Sequence, residues 1–244
     1  MVIKDIYQFL DSLSPFELQE KWDNSGLIVG NMDNEFENLY ISLDLDLDMI
    51  KGIKPNSLII THHPLIFSPL KKLNDVSYSE KLLKLLIKND ICLISMHTNI
   101  DKTHLNDYVG CEILKLPFKK VSDFILSAEV DMSFDDVVEH IKNKLNLKVL
   151  KYVKTRDKIN SISLTTGSGM SLIDYVKSDL YLTGDIKYHD AMEAKARGIS
   201  LIDIGHYESE IHFCDILNRE LEPYLKINKI NAIIPNLNNP FDYK

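Results

Sequence analysis

The chain has 244 residues, of which 45% are hydrophobic and 26% charged. That is enough apolar material for one large domain or two smaller ones. Its formal net charge of -8 argues against non-specific binding to nucleic-acid backbones, since like charges repel. The first residues, MVIKDIYQFLDSL, carry acids and no long apolar run, so no signal peptide is expected, and no stretch reaches the roughly 20 apolar residues of a membrane span. A cytoplasmic protein with no membrane partner is expected. Cys92, Cys111 and Cys214 form no close pair, so neither a disulfide nor a zinc-cysteine site is expected.

In chain order, the single tryptophan comes first, in Trp22-Asp23-Asn24-Ser25-Gly26, and reads as a packing anchor beside a turn. Residues 39–45 (LYISLDL), 57–62 (SLIITH) and 91–97 (ICLISMH) are β-branched and apolar and predict strands. Between the last two, residues 78–88 space leucines as a helix does. Strand, helix, strand at this spacing predicts parallel pairing. The alternation restarts near residue 123 with FILSAEV. A helix follows to Lys144, with Ser133 as its N-cap. Strands are predicted over 147–153, 159–165, DLYLTGD and SLIDIG, and helices over KYHDAMEAKARG and 207–221. A last strand at 229–234 precedes a loop-like tail.

The expectation is therefore an α/β protein: two linked α/β subdomains with mostly parallel sheets flanked by helices. Residues 1–122, rejoined by 207–244, would form the first subdomain, and 123–206 the second.

Ligands in such sheets bind beyond the carboxyl ends of the strands, and four unusual segments fall there. In Thr61-His62-His63-Pro64, adjacent imidazoles follow a buried strand, where they could address two ions a few ångströms apart. Ser95-Met96-His97-Thr98-Asn99-Ile100-Asp101 supplies Asp101 as an oxygen ligand, with His97 as a ligand, a partner to one or a proton carrier. His206 and Glu210 stand four apart at a helix start, on one face. Histidines with carboxylates and no cysteine suit zinc, manganese, iron, cobalt or nickel. In Thr183-Gly184-Asp185-Ile186-Lys187-Tyr188-His189, Lys187 and His189 are candidates for contacting an anionic substrate or moving a proton. Elsewhere, Thr166-Gly167-Ser168-Gly169 is a glycine turn that either cradles a phosphate or simply turns.

The ordered set WDNSGLIVG, THHPLIFSPL, SMHTNID, GSGMSLI, TGDIKYHDA and DIGHYESE resembles the GTP cyclohydrolase I type 2 homologue family, also called NIF-three-like. These segments run from residue 22 to residue 210, and the chain is too short for the extra domain some members carry. The resemblance implies two linked α/β subdomains and toroidal homohexamers. It also implies a dinuclear site of two divalent ions on His62, His63, Asp101, His206 and Glu210, with Glu210 bridging and His97 and His189 nearby. The implied activity is metal-dependent hydrolysis, opening the guanine ring of GTP towards a dihydroneopterin triphosphate and formate. A two-metal phosphoesterase acting on a nucleotide or phosphorylated metabolite, and a non-catalytic metal-binding interaction protein, are the alternatives.

Overall fold

The structure is a computed structural model that describes residues 1–242. The chain forms two compact units. One comprises Met1–Ile100 and Phe213–Asn238, the other Asp101–His212 with the residues from Asn239 on. Residues 101–122 and 207–212 thus belong with the second unit. The chain passes between units within a helical run that begins at Thr98 and again just before the long helix at Phe213.

The first unit is built on a five-stranded sheet ordered β1 (Gly26–Val29), β4 (Cys92–Ser95), β3 (Ser57–Thr61), β2 (Asn38–Ser42), β11 (Ala232–Ile233). All neighbours are parallel except β1, which runs against β4. Every residue of β3 is buried, as expected of a near-continuous apolar strand covered on both faces. Helix α2 (Tyr78–Lys88) buries Leu82, Leu83 and Leu86, at helical spacing. Leu82 and Leu86 form one core cluster with Tyr40, Ile59 and Leu93. A capping box of Ser77 and Glu80 starts the helix. Helices α1 (Ile3–Leu13) and α7 (Phe213–Ile227) touch through Phe9 and Tyr224, with ring centroids 4.6 Å apart.

The second unit holds a six-stranded sheet: β5 (Lys119–Lys120), β6 (Leu126–Ser133), β8 (Lys158–Leu164), β9 (Leu180–Thr183), β10 (Ser200–Asp203), β7 (Lys151–Val153). Only β8–β9–β10 is parallel. The remaining pairings are antiparallel, so this sheet is mixed. Residues 126–133 return onto 158–164 after α4 (Phe134–Lys144), and the short β7 closes the far edge. Ser133 does cap α4, its hydroxyl accepting from the Asp136 N–H. The glycine turn leads into a 3-10 turn, Met170–Tyr175, and α5 (Tyr188–Arg197) ends at Gly198 in a left-handed conformation. The helix expected over 207–221 is two: α6 (His206–Glu210), then α7.

Candidate metal centre

Pairing register brings the first unit's candidates to one level. Ser42 pairs with Thr61, and Thr61 with Ser95, as the last rungs of β2, β3 and β4. Asp44, His62-His63 and His97 therefore emerge together from the carboxyl ends of three parallel strands. The hydroxyls of Thr61 and Ser95 share a hydrogen bond of 2.9 Å, tying two of these ends.

The three imidazoles converge. Ring centroids lie 4.9 Å apart for His62 and His63, 5.1 Å for His62 and His97, and 5.5 Å for His63 and His97. One nitrogen from each lies within 4.8 Å of the others, a spacing able to hold a metal ion. Each Nδ1 is engaged by an oxygen that can only accept. His62 donates to the Met96 carbonyl at 2.8 Å, His63 to Asp44 Oδ2 at 2.8 Å, and His97 to Asp23 Oδ1 at 2.8 Å. A neutral ring whose Nδ1 carries the proton has its lone pair on Nε2. Oxygen partners of this kind orient metal-binding histidines and raise their basicity.

Asp23 is the most constrained of these partners. Its side chain is fully buried. Besides His97, it accepts from the Asn24 N–H, the Thr98 N–H and hydroxyl, and the Ser25 hydroxyl. Burial pushes its pKa up. The hydrogen bonds from His97, Thr98 and the Asn24 N–H outweigh that and hold the carboxyl well below its usual range. Trp22 beside it is 58% exposed, so it is not the packing anchor expected from sequence. Its ring stands 5.8 Å from Phe67 and edge-on to His97 at 6.2 Å.

The second unit assembles its own donors at the ends of β8, β9 and β10. In α6, Glu210 Oε2 lies 2.9 Å from His206 Nε2, which puts the i, i+4 pair on one face. His206 Nδ1 donates to Asp185 Oδ2 at 2.7 Å, repeating the pattern of the first unit. Glu210 is buried against the glycine turn. Gly167 has φ +61°, and a Cβ there would stand 1.9 Å from Glu210 Oε1. The N–H groups of this turn are already used. Gly167 donates to Ser209 Oγ, Gly169 to Thr183 Oγ1, and Thr166 to Asn106 Oδ1. The turn therefore supports Glu210, and those donors are not directed at a phosphate.

Asp101 opens a π-helical segment, Asp101–Leu105, directly after α3 (Thr98–Ile100). Such segments often mark functional sites. Lys187 and His189 are exposed at the start of α5. The Lys187 N–H donates to Asp190, and His189 packs edge-on against Tyr188 at 5.3 Å. Neither makes a hydrogen bond or ion pair with His206 or Glu210 among the described residues. Sequence reasoning passed over Asp23, Asp44 and Asp185. Each lies in a loop and shows its role only through the histidine that donates to it. The three cysteines are free, with Cys92 and Cys214 buried.

Comparison with known proteins adds four relationships. Residues 1–240 match the family described as Duf34/NIF3 (NGG1p interacting factor 3). The GTP cyclohydrolase 1 type 2 homolog of Campylobacter jejuni is 46% identical over 244 residues, covering 100% of both chains. The GTP cyclohydrolase 1 type 2 of Helicobacter pylori strain J99 is 43% identical over 241 residues, covering 98% of each. Among solved structures, protein SA1388 of Staphylococcus aureus aligns with a TM-score of 0.87 at 28% identity, covering 100% of this chain and 99% of that one.

Proposed function

This chain belongs to the Duf34/NIF3 family, and from that premise we propose that it is a dinuclear, divalent-metal-dependent hydrolase of the GTP cyclohydrolase 1 type 2 kind. The proposed ligands are His62, His63, Asp101, His206 and Glu210, the set the motifs imply. The observation that supports this reading best is the treatment of the histidines. His62, His63, His97 and His206 all give Nδ1 to an acidic or carbonyl oxygen. Four rings oriented alike fit a donor set for zinc, manganese, iron, cobalt or nickel.

Two such ions, when bound, supply Lewis acidity that acidifies water and neutralises charge developing on the substrate. The chain's part is to hold donors and move protons. His62 and His63 are fixed on rigid strand ends, and Glu210 is buried against Gly167. In this proposal His97, its Nδ1–H held by Asp23, takes a proton at Nε2 from attacking water and returns it to the leaving nitrogen. On GTP, one water opens the imidazole ring of guanine at C8 to a formamide, and a second water hydrolyses that amide, releasing formate and leaving the amine. Lys187 and His189 are proposed to meet the anionic part of the substrate from their exposed positions.

Incubation of metal-loaded protein with GTP tests the reaction. Formate release with pterin fluorescence supports it, phosphate release alone would assign a phosphoesterase, and no turnover across a metal and nucleotide panel would leave a metal-binding interaction protein. A homohexamer, proposed from the family resemblance, predicts a mass six times that of the chain in light scattering at micromolar concentration. A monomer mass refutes it. Among the described residues no helix is long and apolar enough to cross a membrane.

A further inference from the structure

Trp22 and Phe67 are 58% and 52% exposed, although aromatic rings of this size usually find cover. They are presented rigidly. Asp23, adjacent to Trp22, is buried and fastened to His97 and Thr98. Asn24 Nδ2 donates to the Ile66 carbonyl at 2.6 Å, tying the tryptophan loop to the residue before Phe67. The two rings are inclined at 49° with centroids 5.8 Å apart, and their centroids lie 6.2 and 6.3 Å from that of His97. Three lysines flank them in sequence: Lys21 beside Trp22, and Lys71 and Lys72 on the loop after Phe67. All three are exposed and make no ion pair among the described residues, in a chain whose net charge is -8.

We propose that Trp22 and Phe67 form an aromatic gate beside the His62–His63–His97 cluster that stacks the heterocycle of a nucleoside phosphate, with Lys21, Lys71 and Lys72 meeting its phosphates. This rests on the reading of the cluster as a hydrolytic centre and names what that centre takes. Two flat faces suit a planar base, because every base has a π-face and stacking is strong and tolerant of ring identity. Exposed lysines that flank both aromatic residues in sequence, on an acidic protein, complement a polyanionic tail. A purely aliphatic or uncharged substrate would use neither feature.

Trp22 is the only tryptophan, so the protein carries its own reporter. Full-length protein, stripped of metal so that no turnover interferes, is titrated with GTP, guanosine and inorganic triphosphate while tryptophan emission is read. The expected result is saturable quenching by GTP, quenching by guanosine at about tenfold or higher concentration, and none by triphosphate. By calorimetry, Trp22→Leu and Phe67→Leu each weaken GTP binding about tenfold, and Trp22→Phe retains most of it. Lys71→Ala with Lys72→Ala weakens GTP binding and leaves guanosine binding unchanged. Equal GTP affinity in metal-free wild type and both leucine variants, each folded by circular dichroism, would overturn the gate. So would Trp22 emission that responds to protein concentration and to no nucleotide, the sign of a second copy covering the rings. Quenching without turnover keeps the gate and removes the hydrolase, whereas turnover without quenching does the reverse.

Discussion

Gly167 illustrates how a residue with no chemistry of its own can decide a site. Its φ of +61° suits glycine, and a Cβ would occupy the space of Glu210 Oε1. Gly167→Ala must therefore tolerate a left-handed alanine and also displace a buried carboxylate. The backbone part alone costs about 1–2 kcal/mol. The expected outcome is a protein that melts several degrees lower and loses metal, read by calorimetry and by elemental analysis. Retention of full metal content with only the stability loss would show that Glu210 does not need this turn. The glycine was visible in the sequence, but its use was not. A Gly-Ser-Gly turn before a helical segment reads equally as a phosphate cradle, and only the hydrogen bonds of Thr166, Gly167 and Gly169 to side chains decide against that. The candidate ligands were legible because imidazoles at the end of an apolar strand have few structural excuses. Asp23 and Asp44 were not, since an acid in a loop is ordinary until a histidine 74 or 19 residues away in sequence is found donating to it.

At the scale of elements, local patterns carried well where one face decides burial. The leucine spacing of α2 and the Ser133 cap of α4 match the expectation closely. Strand pairing of the second sheet did not follow from pattern. An antiparallel and a parallel strand of seven apolar-rich residues look alike, and the direction of β6 against β8 depends on the path of α4 between them. The break between α6 and α7 was missed because helical spacing continues through it. Helix α7 carries a titratable core group. Cys214 is buried, with Asp215 adjacent, and both press its pKa up to about 12, burial being the larger influence. A thiol raised in the folded state is protonated in both states below about pH 8.5, so it adds no pH dependence there. Above that, the unfolded chain loses the proton and the folded one keeps it, so stability falls as pH rises towards 12. Urea midpoints of wild type should therefore decline from about pH 9 by a component that is absent from Cys214→Ala. Parallel declines in the two proteins would show that the thiol is not the source.

At the scale of the whole molecule, the proposed ligands lie far apart in sequence, from His62 to Glu210. His97 and Asp101 bracket the first crossing after Ile100, and Glu210 lies two residues before the second, after His212. The unfolded chain cannot present these donors together, because they span about 150 positions of sequence. An ion that binds only the folded form stabilises it by RT ln(1 + [L]/Kd), about 4 kcal/mol at a thousandfold excess over Kd. For a chain of this size each kcal/mol moves the melting temperature by about 2–4 °C. Chelation of metal-loaded protein should thus lower its melting temperature by about 8–16 °C, and return of the ion should restore it. The double variant His62→Ala with Glu210→Ala should melt at the same temperature with and without chelator. A chelator effect that survives in this variant would place the stabilising ion elsewhere, and the absence of any effect in wild type would remove the metal centre altogether.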